Sequence, residues 1–110
     1  MTRWSSKELE TSSKPVVEMS SGNVFIDLGY PESEAINITA RLELMYAIEQ
    51  ILKERGWTQQ EAGRALGIRQ PRVSELMKGH SEKFTIDMLI KLLDKLGKKV
   101  SLIVEEKEVA

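Results

Sequence analysis

Six polar side chains, Arg69, Gln70, Arg72, Ser74, Glu75 and Lys78, fall within the ten residues RQPRVSELMK. Cations and planar hydrogen-bonding groups at this density suit binding a partner through charge and paired hydrogen bonds. The groups that break bonds are missing. The chain has no cysteine and one histidine, His80, which excludes thiol catalysis, disulfides, cysteine-held zinc or iron–sulfur, and a histidine metal cluster. Neither a glycine-rich phosphate loop nor a nucleophile elbow is present, and the carboxylates stand at helix starts or at salt-bridge spacing. The expectation is a binding protein that is not an enzyme and uses no metal or cofactor.

With 110 residues, 41% of them apolar and 30% charged, the chain is the size of one globular domain. Aromatics are only 5%, so Leu, Ile, Val, Met and Ala must build the core, which favours packed helices. No apolar run reaches the roughly 18–20 residues of a membrane span, and the polar opening MTRWSSKELETSSK is unlike a signal peptide. A soluble, cytoplasmic protein without a membrane partner is expected. Net charge is −1 but unevenly spread. Residues 1–52 carry 4 basic and 8 acidic groups, whereas residues 53–83 carry 7 basic and 4 acidic. An acidic first half beside a basic centre suggests two partners of opposite sign.

The elements that must hold the polar cluster follow from pattern. Residues 1–30 read as an N-terminal tail, with Val24, Ile26 and Leu28 alternating as a short extended segment. Trp4 is the tail's one large aromatic before that segment, either a docking anchor or a group that folds onto the domain or simply sits exposed. A domain over 31–97 follows. Its first helix opens at the acidic turn Pro31-Glu32-Ser33-Glu34 and runs to Arg55. Asn37, Ile38 and Thr39 leave open whether it is one helix or two. Thr58 and Glu61 form a capping box, with Trp57 and Ala62 at the staple positions around it. Gly67 stops that helix, and a second runs from about Arg69 to Lys78 with Pro71 in its first turn. Thr85 caps a last helix to Leu96 with its stripe Ile86, Leu89, Ile90, Leu93 and Leu96, and Val100–Val104 within 98–110 reads as a C-terminal strand.

Two helices joined by a few residues around Gly67 must cross steeply, over about 58–78. Gly63 is small where the backbones meet. Ala62, Leu66, Ile68, Val73 and Leu76 turn inward, leaving Arg64, Arg69, Gln70, Arg72, Glu75 and Lys78 on or near the outer faces.

The residues Thr-Gln-Gln-Glu-Ala, Leu-Gly-Ile, Gln-Pro-Arg-Val-Ser-Glu-Leu and Lys-Gly together resemble the Cro/C1-type (XRE family) helix-turn-helix, across about residues 40–97. The resemblance implies a mainly α, lambda-repressor-like bundle of about five helices with a short C-terminal β-strand and an extended N-terminal tail. The wider order, NVFIDLG ahead of the first helix and LGKKVSLIV after the last, is similar to small HigA-type antitoxins encoded beside RelE-like ribonuclease toxins. It implies a sequence-specific, autorepressing regulator of a type II toxin–antitoxin pair, nucleoid-associated in a bacterial cytoplasm.

In such a protein the second helix enters the major groove with its N-terminal residues nearest the base edges. Gln70 can bond two atoms of adenine, Arg69 or Arg72 can pair with guanine or phosphate, and Pro71 can meet a thymine methyl, with Ser74 and Glu75 one turn on. Phosphate contacts are expected from Thr58 and Gln59 at a helix N-terminus, and from Arg64, Lys78 and His80. One helix reads few base pairs, so a homodimer on palindromic double-stranded DNA is expected, joined through Leu89, Leu93, Val100, Leu102 and Val104. The terminal strand needs a partner, either Val24–Leu28 or its own copy in a second subunit. A toxin protein would dock on residues 1–30 or on helices of the domain. The alternatives are an interaction module whose helix-turn-helix no longer binds DNA, and a stand-alone phage-type repressor.

Overall fold

The computed structural model describes residues 24–107. Of the tail expected over 1–30, residues 1–23, with Trp4, lie outside them. The described residues fall into two compact units, divided between Thr39 and Ala40.

The first unit holds α1, Val24–Asp27, and the start of α2, Glu32–Arg55. The extended segment expected at Val24–Leu28 is therefore a helical turn. The Leu28 N–H bonds the Val24 carbonyl at 3.1 Å, and Tyr30 bonds Phe25 at 3.0 Å. Three alternating apolar residues are too few to distinguish a strand from one turn of helix, and among the described residues no strand flanks them. Phe25 and Tyr30 meet edge to face at 6.0 Å. Gly29 closes the turn at φ 102°, a left-handed value that favours glycine. α2 is one helix through Asn37–Thr39, so low intrinsic propensity there does not break it.

The second unit packs the rest of α2 with α3 (Gln59–Leu66), α4 (Gln70–Met77), a short 3₁₀ turn (Ser81–Lys83) and α5 (Ile86–Lys95). One core cluster joins Met45, Ile48, Ile51 and Leu52 of α2 to Ala62 and Leu66 of α3, Val73 and Leu76 of α4, Phe84, and Leu89, Leu92, Leu93 and Leu96. Full burial of each Leu or Ile contributes about 1.5–3 kcal/mol, so this cluster is the main source of stability. Sequence signals set the helix ends. The Thr58 Oγ1 accepts from the Glu61 N–H at 3.1 Å, and the Thr58 N–H donates to Glu61 Oε1 at 2.8 Å. The Thr85 Oγ1 likewise accepts from the Met88 N–H at 3.1 Å. Cations complete other ends: Lys95 donates to the Leu66 carbonyl at 3.1 Å and Arg55 to the Leu96 carbonyl at 2.9 Å, where helix C-termini carry partial negative charge.

Two expectations about α5 and the chain end are revised. Leu89 and Leu93 do not face a second subunit, because both are buried in the core of their own chain. The stripe also shifts, with Leu92 buried while Ile86 and Ile90 stay half-exposed. Val100–Val104 is not a strand here, and no strand occurs among the described residues. A strand exists only through its ladder partner. Val100 packs on the core, but Leu102, Ile103 and Val104 are 77%, 83% and 95% exposed.

Candidate nucleic-acid interface

The crossing of α3 and α4 positions the polar cluster. Gly63 is buried, and a Cβ added there would stand 2.7 Å from the Ile68 carbonyl oxygen, so only glycine lets the turn close over α3. The Gly63 carbonyl accepts from the N–H groups of both Gly67 and Ile68, at 2.8 and 3.0 Å. Gly67 takes the left-handed conformation, φ 74°, that sends the chain back. α4 then starts from Arg69 with Pro71 in its first turn, where a missing N–H leaves no helical bond unmade. Val73 and Leu76 fix α4 by burial, which determines the opposite edge.

That edge carries Arg69, Gln70 and Pro71, all exposed, with Ser74 half-buried one turn on. Among the described residues nothing pairs with the side chain of Arg69 or Gln70, so their donors and acceptors face solvent. Arg64, Lys78, Thr58 and Gln59 are exposed as well. At the start of α3 the capping box already uses the N–H groups of Thr58 and Glu61. The N–H groups of Gln59 and Gln60 are those left for an anion. His80 is half-buried after α4, its N–H bonded to the Glu75 carbonyl at 3.1 Å and its Nδ1 buried without a partner.

Arg72 and Glu75 stand apart from this free edge. The Arg72 Nη1 donates to Glu75 Oε1 at 2.9 Å, and its Nη2 donates to the Lys83 carbonyl at 3.2 Å. The guanidinium lies 4.3 Å over the ring of buried Phe84, a cation–π distance. The Lys83 ammonium approaches Glu75 Oε2 at 3.6 Å. The hydrogen bond from Arg72 is the main cause that holds the Glu75 carboxyl below its ordinary value; partial burial opposes it and the nearby charge of Lys83 adds to it. The i, i+3 spacing of Arg72 and Glu75 already placed them side by side on a helix. Lys83 and Phe84 went unforeseen, since they reach Arg72 only through the turn after α4.

A buried crossing with an exposed polar edge at the start of its second helix defines a helix-turn-helix module. Residues 24–105 match the family described as helix-turn-helix domain. A solved structure whose name assigns it to the XRE family of transcriptional regulators is similar, with TM-score 0.62 and 31% identity, covering 70% of this chain and 84% of that one. No curated protein matches the sequence. The chain belongs to the helix-turn-helix domain family, with a fold of the XRE type.

Proposed function

We propose that the protein is a sequence-specific DNA-binding transcriptional regulator that represses its own gene. One observation carries this reading: Arg69, Gln70 and Pro71 form a solvent-facing edge at the N-terminal turn of α4, the part of a recognition helix that meets base edges. Gln70 is the adenine reader and Arg69 the guanine or phosphate partner. Arg64 and Lys78, with the free N–H groups at the start of α3, hold register on phosphate. The regulator acts as a homodimer on a two-fold operator with half-sites about 34 Å apart. Leu102, Ile103 and Val104 form the pairing surface, and a ladder with the second copy would give this segment the strand it lacks alone.

Within that reading the protein is the antitoxin of a RelE/HigB-like ribonuclease, with residues 1–30 as docking region. The support is the order of segments around the helix-turn-helix together with the acidic first half. Working on DNA, it belongs in the bacterial cytoplasm with the nucleoid. A second reading, an interaction module that no longer binds DNA, draws support from the pairing of Arg72 with Glu75, which removes one cation from the free edge.

Fluorescence anisotropy with duplex from upstream of its own gene, at two salt concentrations, separates the two. Salt-sensitive binding that weakens about tenfold in Gln70→Ala at unchanged thermal stability supports the operator reading. Binding no tighter than to a scrambled duplex overturns it. Co-purification with the product of the adjacent gene tests the antitoxin step, and a partner that leaves untouched on mixing refutes it.

A further inference from the structure

We propose that Glu75 is a positioning residue that holds Arg72 against Phe84 and so keeps one cation of the recognition helix off the DNA backbone, limiting its affinity for DNA of any sequence. This rests on reading α4 as the helix that meets DNA.

The guanidinium of Arg72 has three anchors from three segments: the Glu75 carboxylate on its own helix, the Lys83 carbonyl in the 3₁₀ turn, and the Phe84 ring before α5. A lone surface ion pair is a weak tether. Here a carbonyl and a ring constrain the same planar group from other directions, and both side chains of the pair are mostly covered, 32% and 28% exposed. Glu75 is itself engaged on both oxygens, Oε1 by Arg72 and Oε2 by Lys83. The cluster therefore divides by role. Arg69 and Gln70 are free to read, while Arg72 is tied back beside them.

The chemical consequence concerns phosphate. Contacts to the DNA backbone carry no sequence information, and each one raises affinity for every duplex alike. A long arginine released one turn from Arg69 would reach a phosphate on operator and random DNA equally. Tying it to Glu75 lowers binding to operator and random DNA by the same factor, so the sequence-independent background stays weak while the base contacts remain. Glu75 touches no base, so it sets how tightly the helix holds DNA of any sequence and leaves the preference for the operator to Arg69 and Gln70.

The test measures affinity for the upstream duplex and for a scrambled duplex of equal length over a salt series. The proteins are wild type, Glu75→Gln, Glu75→Asp, and each Glu75 change combined with Arg72→Ala. Glu75→Gln is expected to bind the scrambled duplex about tenfold more tightly, with the slope of log affinity against log salt steeper by about 0.9, the value of one added phosphate contact. Glu75→Asp keeps the charge but draws the carboxylate back by one methylene from the 2.9 Å contact, so it should shift toward Glu75→Gln. In the Arg72→Ala background both changes should leave the slope as it is, since coupled residues are non-additive. An unchanged slope in Glu75→Gln, or a steeper slope that persists without Arg72, overturns the proposal. Wild-type behaviour of Glu75→Asp overturns it too, because charge alone would then suffice. If wild type binds neither duplex, the operator reading itself fails and takes this inference with it.

Discussion

Gly63→Ala places the helix crossing under direct test. Residue 63 lies inside α3, where alanine is normally favoured over glycine by about 1 kcal/mol because glycine loses more backbone freedom on folding. The packing opposes this. The new Cβ would fall 2.7 Å from the Ile68 carbonyl oxygen, about 0.7 Å inside the 3.4 Å at which ordinary contact begins. Rotamer change cannot relieve it, since the obstacle is backbone, and the same turn is held by two hydrogen bonds to the Gly63 carbonyl. Next to it stand Val73 Cγ2 at 3.6 Å and the Gln70 N at 3.7 Å, so α4 must move as a body. Overpacking of this kind costs about 1–3 kcal/mol, and a backbone obstacle puts it at about 3. Set against the gain in helix propensity, the net loss is about 2 kcal/mol, or roughly 8–16 °C in Tm for a domain of this size. Thermal unfolding followed by circular dichroism measures it. Exposed Ala65→Gly in the same helix calibrates the propensity term and should cost about 1 kcal/mol. A Gly63→Ala protein that melts at or above wild type would refute the close crossing and the placement of α4 that depends on it.

Four further outcomes follow from other parts of the molecule. Thr58→Ala removes the side-chain half of the capping box and should cost about 1 kcal/mol by denaturant unfolding, with the midpoint shifted at constant slope. Leu89→Ala should cost about 2–5 kcal/mol as a core cavity, whereas Leu102→Glu should leave unfolding of the single chain unaltered and shift sedimentation equilibrium toward monomer. Glu75 titrates below its ordinary 4.5 in the folded state, so its pairing with Arg72 stabilises fully above the unfolded value and is lost as pH falls through the lower folded one. Melting temperature from about pH 6 to about pH 3 should therefore fall less steeply in Glu75→Gln than in wild type, and parallel curves would contradict the pairing.

What was legible in the sequence was what depends on neighbours along the chain. Thr58 with Glu61 and Thr85 with Met88 act within one helical turn, so their types and spacing carry the whole signal. Gly63 and Gly67 were legible for a related reason, because a tight crossing needs a small residue and a left-handed turn within a few positions. The two terminal segments were not. Val24–Leu28 has too short an apolar pattern to choose between helix and strand. Val100–Val104 has strand composition, but a strand is a property of two segments and none pairs with it among the described residues.

The polar cluster shows the same division within a single helix. Periodicity correctly set Arg69, Gln70, Arg72 and Glu75 on or near the outside of α4, since Val73 and Leu76 determine which face is buried. It did not rank them. Arg69, Gln70 and Pro71 precede the turn at which α4 meets the 3₁₀ segment and stay open, whereas Arg72 lies where Lys83 and Phe84 return across the helix. The difference between a free and a tethered arginine therefore depends on residues 11 and 12 positions further along. Helical spacing extends to three or four. An arginine on the outer face of a recognition helix is a base reader only where the next element leaves it free, and here the residues beginning at Lys83 decide that.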